Sequence, residues 1–83
     1  MTAPYHPPVK RSVTIAGHPT SISLEPIFWD ALETEARGAA LPLSALVAEI
    51  DALRIKGDDP PNLASALRTW LLAHHRPDHD ASQ

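Results

Sequence analysis

The sequence predicts a mainly α protein with a short β-ribbon, in the order of two strands followed by three helices. Two stretches near the N-terminus alternate apolar and polar residues, which is the pattern of half-buried strands. The remainder of the chain repeats apolar residues at helical spacing. The nine prolines fall between these stretches and not inside them, so each uninterrupted stretch can form one element.

The two predicted strands cover residues 9–16 and residues 20–24, with a turn predicted at the Gly-His-Pro sequence of residues 17–19. The polar sides of the two strands carry Lys10, Ser12, Thr14, Ser21 and Ser23. The alternation fixes which residues share a face, but it leaves two arrangements open. The strands form either a hairpin or two extended segments that pair with another chain.

The first helix is predicted over residues 27–37. Pro26 can begin it, because proline at the first helical position loses no needed hydrogen bond. Gly38 can take the left-handed conformation that ends it. Phe28 lies on the predicted inner face, whereas Trp29 either packs across a dimer or is exposed as a partner contact.

Two further helices follow. The second begins near Pro42 and covers residues 43–56, and Asn62 is a good N-cap for a third helix over residues 62–75. The apolar face of the second helix consists of Leu43, Leu46, Val47, Ile50, Leu53 and Ile55. In the third helix Trp70 is predicted to dock onto the first two.

Composition predicts one small domain, over residues 9–76, between a flexible proline-rich arm (1–8) and a polar tail (77–83). There is no cysteine, so disulfides and thiol chemistry are excluded. The longest apolar runs are far shorter than a membrane span, and the N-terminus has no apolar signal core. We therefore expect a cytoplasmic protein with no membrane contact.

A chain of 83 residues buries only a modest core, and an isolated two-stranded ribbon is barely stable in water. Pairing of two chains would close the ribbon and bury the helices against each other. Physical reasoning alone thus predicts an obligate homodimer.

Three segments, KRSVTIAGHPTSISLEPIFWDAL, PLSALVAEID and NLASALR, together resemble the ribbon-helix-helix domain of the Arc/MetJ type. They are most similar to a small bacterial subfamily with an extra strand before the ribbon and an extra helix after the two usual ones. The resemblance covers residues 10–75. It implies an intertwined homodimer whose antiparallel ribbon enters the major groove of double-stranded DNA.

The resemblance also implies site residues. Ser21 and Ser23 would face the groove, and the amides of Leu43 and Ser44, with the Ser44 hydroxyl, would hold a phosphate at a helix start. Serine departs from the Arg, Lys, Gln, Asn or Thr that the family commonly places on its ribbon. Pro42 stands where the family often has a capping Ser or Thr, and it removes one donor.

Charge locates the remaining predicted contacts. Residues 1–24 carry Lys10 and Arg11 and no acid, whereas residues 25–59 have a balance of −5. Because DNA affinity depends on phosphate neutralisation, we expect these two cations to contact DNA and the binding to be weak. Ser12 and Thr14, beside them on the first strand, complete the predicted surface.

The predicted function is a dimeric DNA-binding transcriptional regulator of the repressor type. The alternative is a protein-interaction module or an antitoxin-like partner with weak or no DNA binding. An enzyme is not expected, because no nucleophile–base pair or carboxylate dyad occurs at convincing spacing. No cofactor is expected, and no metal site is assigned to the HHRPDHD sequence of residues 74–80, whose spacing matches no fixed motif.

Overall fold

The computed structural model describes residues 5–74 of the chain, and it contains an antiparallel β-hairpin followed by three helices. The elements are β1 (Val9–Ile15), β2 (His18–Leu24), α1 (Pro26–Gly38), α2 (Leu43–Arg54) and α3 (Leu63–His74). The predicted mainly α fold with a short β-ribbon is confirmed. The predicted tail and the HHRPDHD sequence beyond His74 lie outside the described residues.

The hairpin is closed by a two-residue turn at Ala16 and Gly17. Both residues have positive φ, 52° and 83°, as the turn type that suits a tight hairpin requires. The prediction of a turn at residues 17–19 was therefore wrong for His18 and Pro19, which belong to β2. The turn is shorter and lies one residue earlier, because alanine takes the left-handed conformation there.

The two strands pair along their whole length, from Val9 opposite Leu24 to Ile15 opposite His18. Of the two arrangements that the alternation left open, the hairpin is the one observed. Each chain thus builds a two-stranded antiparallel sheet from its own residues.

Helix α1 begins at Pro26, as predicted, but its most buried aromatic residue is Trp29. The side chain of Trp29 is 3% exposed, whereas Phe28 packs only partly against the core. The expectation that Trp29 crosses a dimer or is exposed was wrong. Its indole Nε1 donates a hydrogen bond of 2.9 Å to the carbonyl oxygen of Val9, which ties α1 to β1 of the same chain.

The end of α1 also differs from the prediction. The left-handed residue is Ala40, with φ 58°, and not Gly38, which lies inside the helix. The amide of Leu41 donates to the carbonyl of Ala36 (2.9 Å), and the amide of Ala40 donates to that of Arg37 (3.0 Å). These two bonds form a Schellman motif, in which the partly buried Leu41 follows the left-handed residue onto the core.

Helix α2 follows Pro42, its N-cap residue, and ends at Arg54, two residues earlier than predicted. Leu53, in its last turn, and Ile55, just beyond it, were placed on the apolar face but are more than half exposed. Arg54 ties this end of the helix to the following loop, because its Nε donates to Asp51 Oδ1 (2.9 Å) and its Nη1 donates to the Pro61 carbonyl (3.1 Å).

Helix α3 has the predicted cap, since the amide of Ser65 donates to Asn62 Oδ1 at 2.8 Å. The helix packs against α1, α2 and β2, and so it closes the core of a single chain. Within residues 5–74 the buried side chains are all apolar: Val13, Ile22, Leu24, Trp29, Leu32, Ala36, Leu46, Val47, Ile50, Leu67 and Leu71. Helix α3 thus covers part of the apolar surface of the other elements within one chain, and the intertwined homodimer stays a prediction.

None of the helices within residues 5–74 combines the length and the hydropathy of a membrane-spanning segment.

Candidate nucleic-acid interface

One face of the hairpin points away from the helices, and most of the predicted site lies on it. We call it the outward face. Its residues are Lys10, Ser12, Thr14, Pro19, Ser21 and Ser23. All six side chains are exposed, whereas the alternate residues of both strands turn toward the helices. The structure therefore brings together five of the eight predicted DNA contacts.

The register arranges these residues in three cross-strand pairs. Lys10 lies opposite Ser23, and Ser12 lies opposite Ser21. Thr14 lies opposite Pro19, next to the turn. Directly opposed side chains in such a pair are near neighbours, so the hydroxyl groups form one continuous polar strip with a single ammonium group at the end remote from the turn.

Arg11 does not belong to this strip. It lies on the opposite face of β1, where its Nη2 donates to Glu33 Oε2 of α1 at 3.1 Å. Its guanidinium carbon also lies 4.6 Å from the centre of the Trp29 ring. Both contacts direct the cation toward the helices, so the structure places it away from the surface that carries Lys10.

Leu43 and Ser44 lie at the start of α2 and are separate from the hairpin in sequence. Both are half-buried, and Leu43 packs against the core, so only its backbone amide could serve a phosphate. Their amides occupy the first turn of the helix, where no intrahelical acceptor exists. Pro42 provides no side-chain cap that would compete for them.

An ion pair fixes the junction between β2 and α1. Arg68 of α3 donates from Nε and Nη2 to Glu25 Oε1, at 3.2 and 3.1 Å, and its guanidinium carbon lies 5.6 Å from the centre of the Phe28 ring. A hydrogen bond from its own backbone amide, helped by Arg68, holds the pKa of Glu25 below its usual value. The carboxylate therefore stays charged at the helix start, where negative charge is favourable.

The described part of the chain forms apolar grooves outside the hairpin, of which two concern the helices. A groove of about 310 Å³ separates α2 from α3 and is lined by Leu53, Trp70, Ala73 and their neighbours. A smaller groove, about 180 Å³, lies between α1 and α3 beside Ile27 and Leu72. Within residues 5–74 no three potential metal ligands come together.

Sequence reasoning missed one member of the outward face and assigned one wrongly to the same surface as Lys10. Pro19 was read as part of a turn, although its parity with Ser21 and Ser23 places it on their face. Arg11 was grouped with Lys10 because of its charge, although adjacent residues of a strand point to opposite faces. The odd or even position of a residue along its strand was the signal that would have placed Pro19 on the outward face and Arg11 on the opposite one.

The comparison with protein families agrees with this geometry. A family model described as a ribbon-helix-helix domain matches residues 8–75. No curated protein and no solved structure matches the chain. The matched range includes β1 and α3 as well as β2, α1 and α2. Members of this family are generally DNA-binding regulators or antitoxins, and its fold is regulatory and not enzymatic. The chain belongs to the ribbon-helix-helix domain family.

Proposed function

We propose that the protein is a dimeric DNA-binding regulator of the repressor type, which contacts duplex DNA over the major groove with the outward face of its hairpin. The observation that supports this most strongly is the outward face itself, where five predicted contact residues lie together and exposed. A surface of hydroxyl groups with one cation suits contacts with phosphate oxygens. Family membership adds independent support.

The proposed dimer forms through the free edge of β2. In a hairpin closed by two residues, the pair beside the turn is hydrogen-bonded and the pairs alternate from there. Ile15 and His18 are that pair, so the backbone groups of Ser21 and Ser23 point away from β1. A second β2 can pair with them in antiparallel fashion, and the outward faces of both chains then join into one surface.

Two features of that edge bear on where a second strand could pair. First, a cleft of about 360 Å³ lies beside the edge, between residues 20–23 of β2 and the start of α3. Pro19 is on the same edge and has no amide hydrogen, which is where proline is tolerated in a sheet. Pairing is thereby confined to the part of β2 beyond Pro19.

The test is a fluorescence-anisotropy titration of a labelled duplex taken from upstream of the protein's own gene, at salt from about 50 to 200 mM. We expect saturable binding that weakens as salt rises, because each phosphate contact releases counterions. Lys10→Ala should weaken binding. Lys56→Ala is the matched control, since Lys56 is exposed beyond the end of α2, away from the hairpin.

A chain that circular dichroism shows to be folded but that binds no duplex at about 50 mM salt would contradict the proposal. Equal weakening by Lys10→Ala and Lys56→Ala would also contradict it, because the hairpin would then have no special part in binding.

A second candidate is a protein-interaction module of the antitoxin kind. The observation that favours it is the groove between α2 and α3, which is lined mainly by apolar side chains and flanked by the exposed Leu53. Apolar grooves of this type accept amphipathic helices. The family, which includes antitoxins, is compatible with this use.

Cross-linking and co-purification from the native cell separate the two candidates. A stoichiometric partner that is lost with Leu53→Asp but retained with Leu72→Asp, in the other groove, would favour the interaction module. If the chain purifies without a partner and binds DNA, the regulator is favoured.

A further inference from the structure

The chemistry of the outward face is better suited to phosphates than to bases. Bases are commonly distinguished in the major groove by side chains that make two hydrogen bonds to one base, such as Arg, Asn or Gln. The outward face has none of these, and its central positions are Ser21 and Ser23. A hydroxyl can donate to a phosphate oxygen, and it bonds several bases without selecting one.

Among the described residues near this surface, Arg11 is the one that could read guanine with a bidentate contact, and the structure directs it elsewhere. Its guanidinium is held between Glu33 and the Trp29 ring, on the inner face of β1. Lys10 is then the only cation on the outward face. Its ammonium group is a point charge at the end of a flexible stem, which favours contact with a phosphate over a bidentate contact with a base.

The width of the sheet leads to the same conclusion, and this step rests on the proposed function, in which a dimer binds DNA. In each chain β1 already occupies one edge of β2 over seven residue pairs. Pairing of two β2 strands therefore gives four strands, with the two β1 strands outermost. With neighbouring strands about 4.8 Å apart, the outer strands are about 14 Å apart. The major groove is only about 12 Å wide and about 8.5 Å deep.

We infer that the outward face binds the phosphodiester backbone along both rims of the major groove and does not read base edges. Lys10 of each β1 lies over one rim and supplies the charge, and the hydroxyl groups donate to phosphate oxygens. The short side chains of Ser21 and Ser23 lie above the groove and do not reach its floor. The ligand is thus the backbone of duplex DNA, with little dependence on base identity.

Chemically modified duplexes test this directly. In one duplex the purines carry carbon in place of N7, which removes a major-groove acceptor from every purine. In the other, methylphosphonate linkages replace phosphates and remove the backbone charge. We expect the first duplex to bind within about twofold of the unmodified one and the second to bind at least about tenfold more weakly. A tenfold loss with the N7-substituted duplex would overturn the inference.

Variants of the chain give a second, independent readout. Lys10→Ala should lower the slope of log affinity against log salt by about 2 for the dimer, whereas Lys56→Ala should leave it unchanged. The double variant Ser21→Ala/Ser23→Ala should weaken binding to the upstream duplex and to a scrambled duplex of the same composition by the same factor. Loss of a preference between the two duplexes in that variant would overturn the inference.

The outcomes also separate this inference from the proposed function. If N7 substitution weakens binding, the proposed DNA-binding regulator still stands, and only the inferred binding to the phosphodiester backbone is refuted. Absence of binding to all duplexes by a folded chain refutes both, and it leaves the protein-interaction module as the function to pursue.

Discussion

The guanidinium of Arg11 lies 4.6 Å from the centre of the Trp29 ring, and this contact joins the first strand to the first helix. Glu33 accepts a hydrogen bond from the same guanidinium at 3.1 Å. Lys10, one residue earlier, points to the opposite face and is exposed. Two neighbouring cations therefore have different surroundings, and their replacement by alanine should affect the stability of the protein differently.

Arg11→Ala should lower the free energy of unfolding by about 1–2 kcal/mol, because it removes a cation–π contact and a partly exposed ion pair. Arg11→Lys should recover only part of this loss, since an ammonium group lacks the planar fork that stacks on the ring. Urea denaturation followed by circular dichroism measures both. Lys10→Ala is the control, and we expect it to change stability by less than about 0.5 kcal/mol. Equal losses for the two alanine variants would contradict the assignment.

Trp29→Phe should isolate the hydrogen bond between Trp29 Nε1 and the Val9 carbonyl. The phenyl ring retains most of the packing but cannot donate, so we expect a loss of about 1–2 kcal/mol from the missing hydrogen bond and the smaller ring. Thermal unfolding gives the comparison. Trp70→Phe is the matched control, because Trp70 is half-buried at the edge of a groove. A loss for Trp70→Phe as large as that for Trp29→Phe would show that ring size alone is responsible.

Much of the fold was predictable because local rules and tertiary packing agree. Strand alternation correctly placed Ser12 on the polar face of the first strand and Ser21 and Ser23 on the polar face of the second. Pro26 and Asn62 marked helix starts, since each satisfies a local requirement of the backbone. The outward face of the candidate site follows from the same alternation.

The errors arose where contacts between residues far apart in the sequence determine the structure. Helical periodicity alone did not establish that Trp29 is the more buried neighbour of Phe28, because the hydrogen bond to Val9 comes from a strand twenty residues away in sequence. Gly38 was the expected left-handed residue by intrinsic preference. Burial of Leu41 instead extends the helix and leaves Ala40 in that conformation. The partner of β2 could not be deduced either, because alternation defines faces and not neighbours.

Ser21→Pro should convert the proposed dimer to a monomer. The amide of Ser21 points to the free edge of β2, so proline removes a bond to the partner strand without removing one to β1. Ser12→Pro is a closely matched control, because Ser12 lies directly opposite Ser21 and has its amide on the outer edge of β1. Multi-angle light scattering at micromolar concentration, with circular dichroism to verify folding, gives the oligomeric state.

The two proline variants identify the edge that the dimer uses. Loss of the dimer only with Ser21→Pro supports pairing through β2. Loss only with Ser12→Pro would place the β1 strands at the centre, and a wild-type chain that is monomeric would contradict the dimer altogether. Because the chain has no cysteine, disulfide formation between Ser21→Cys and Ser23→Cys chains offers a check that does not depend on proline.

Ala40→Gly should stabilise the protein. Alanine at φ 58° is strained by about 1–2 kcal/mol, and glycine relieves this at the cost of greater freedom in the unfolded chain. The expected net gain is about 0.5–1 kcal/mol in the free energy of unfolding. Ala39→Gly is the neighbouring control, because its φ is −93° and glycine there should destabilise. A loss of stability with Ala40→Gly would contradict the Schellman ending of α1.

The ion pair between Glu25 and Arg68 should make stability depend on pH on the acid side. The pKa of Glu25 is lowered in the folded chain, first by its own backbone amide and then by Arg68. A lowered pKa means that the folded state binds the proton less readily than the unfolded state. The stabilisation is therefore complete above the unfolded pKa of about 4.3 and is lost as the pH falls through the folded value.

Glu25→Gln tests this dependence, because glutamine keeps the shape of the side chain and does not titrate. Urea unfolding at a series of pH values from about 7 down to 3 should show wild type more stable than the variant above about pH 4.3, with the difference shrinking toward zero below it. Glu49→Gln, on the exposed side of α2, controls for the loss of one negative charge. A difference between wild type and Glu25→Gln that stays constant down to the acid limit would contradict this, because it would mean that ionisation of Glu25 does not contribute to the stability of the junction between β2 and α1.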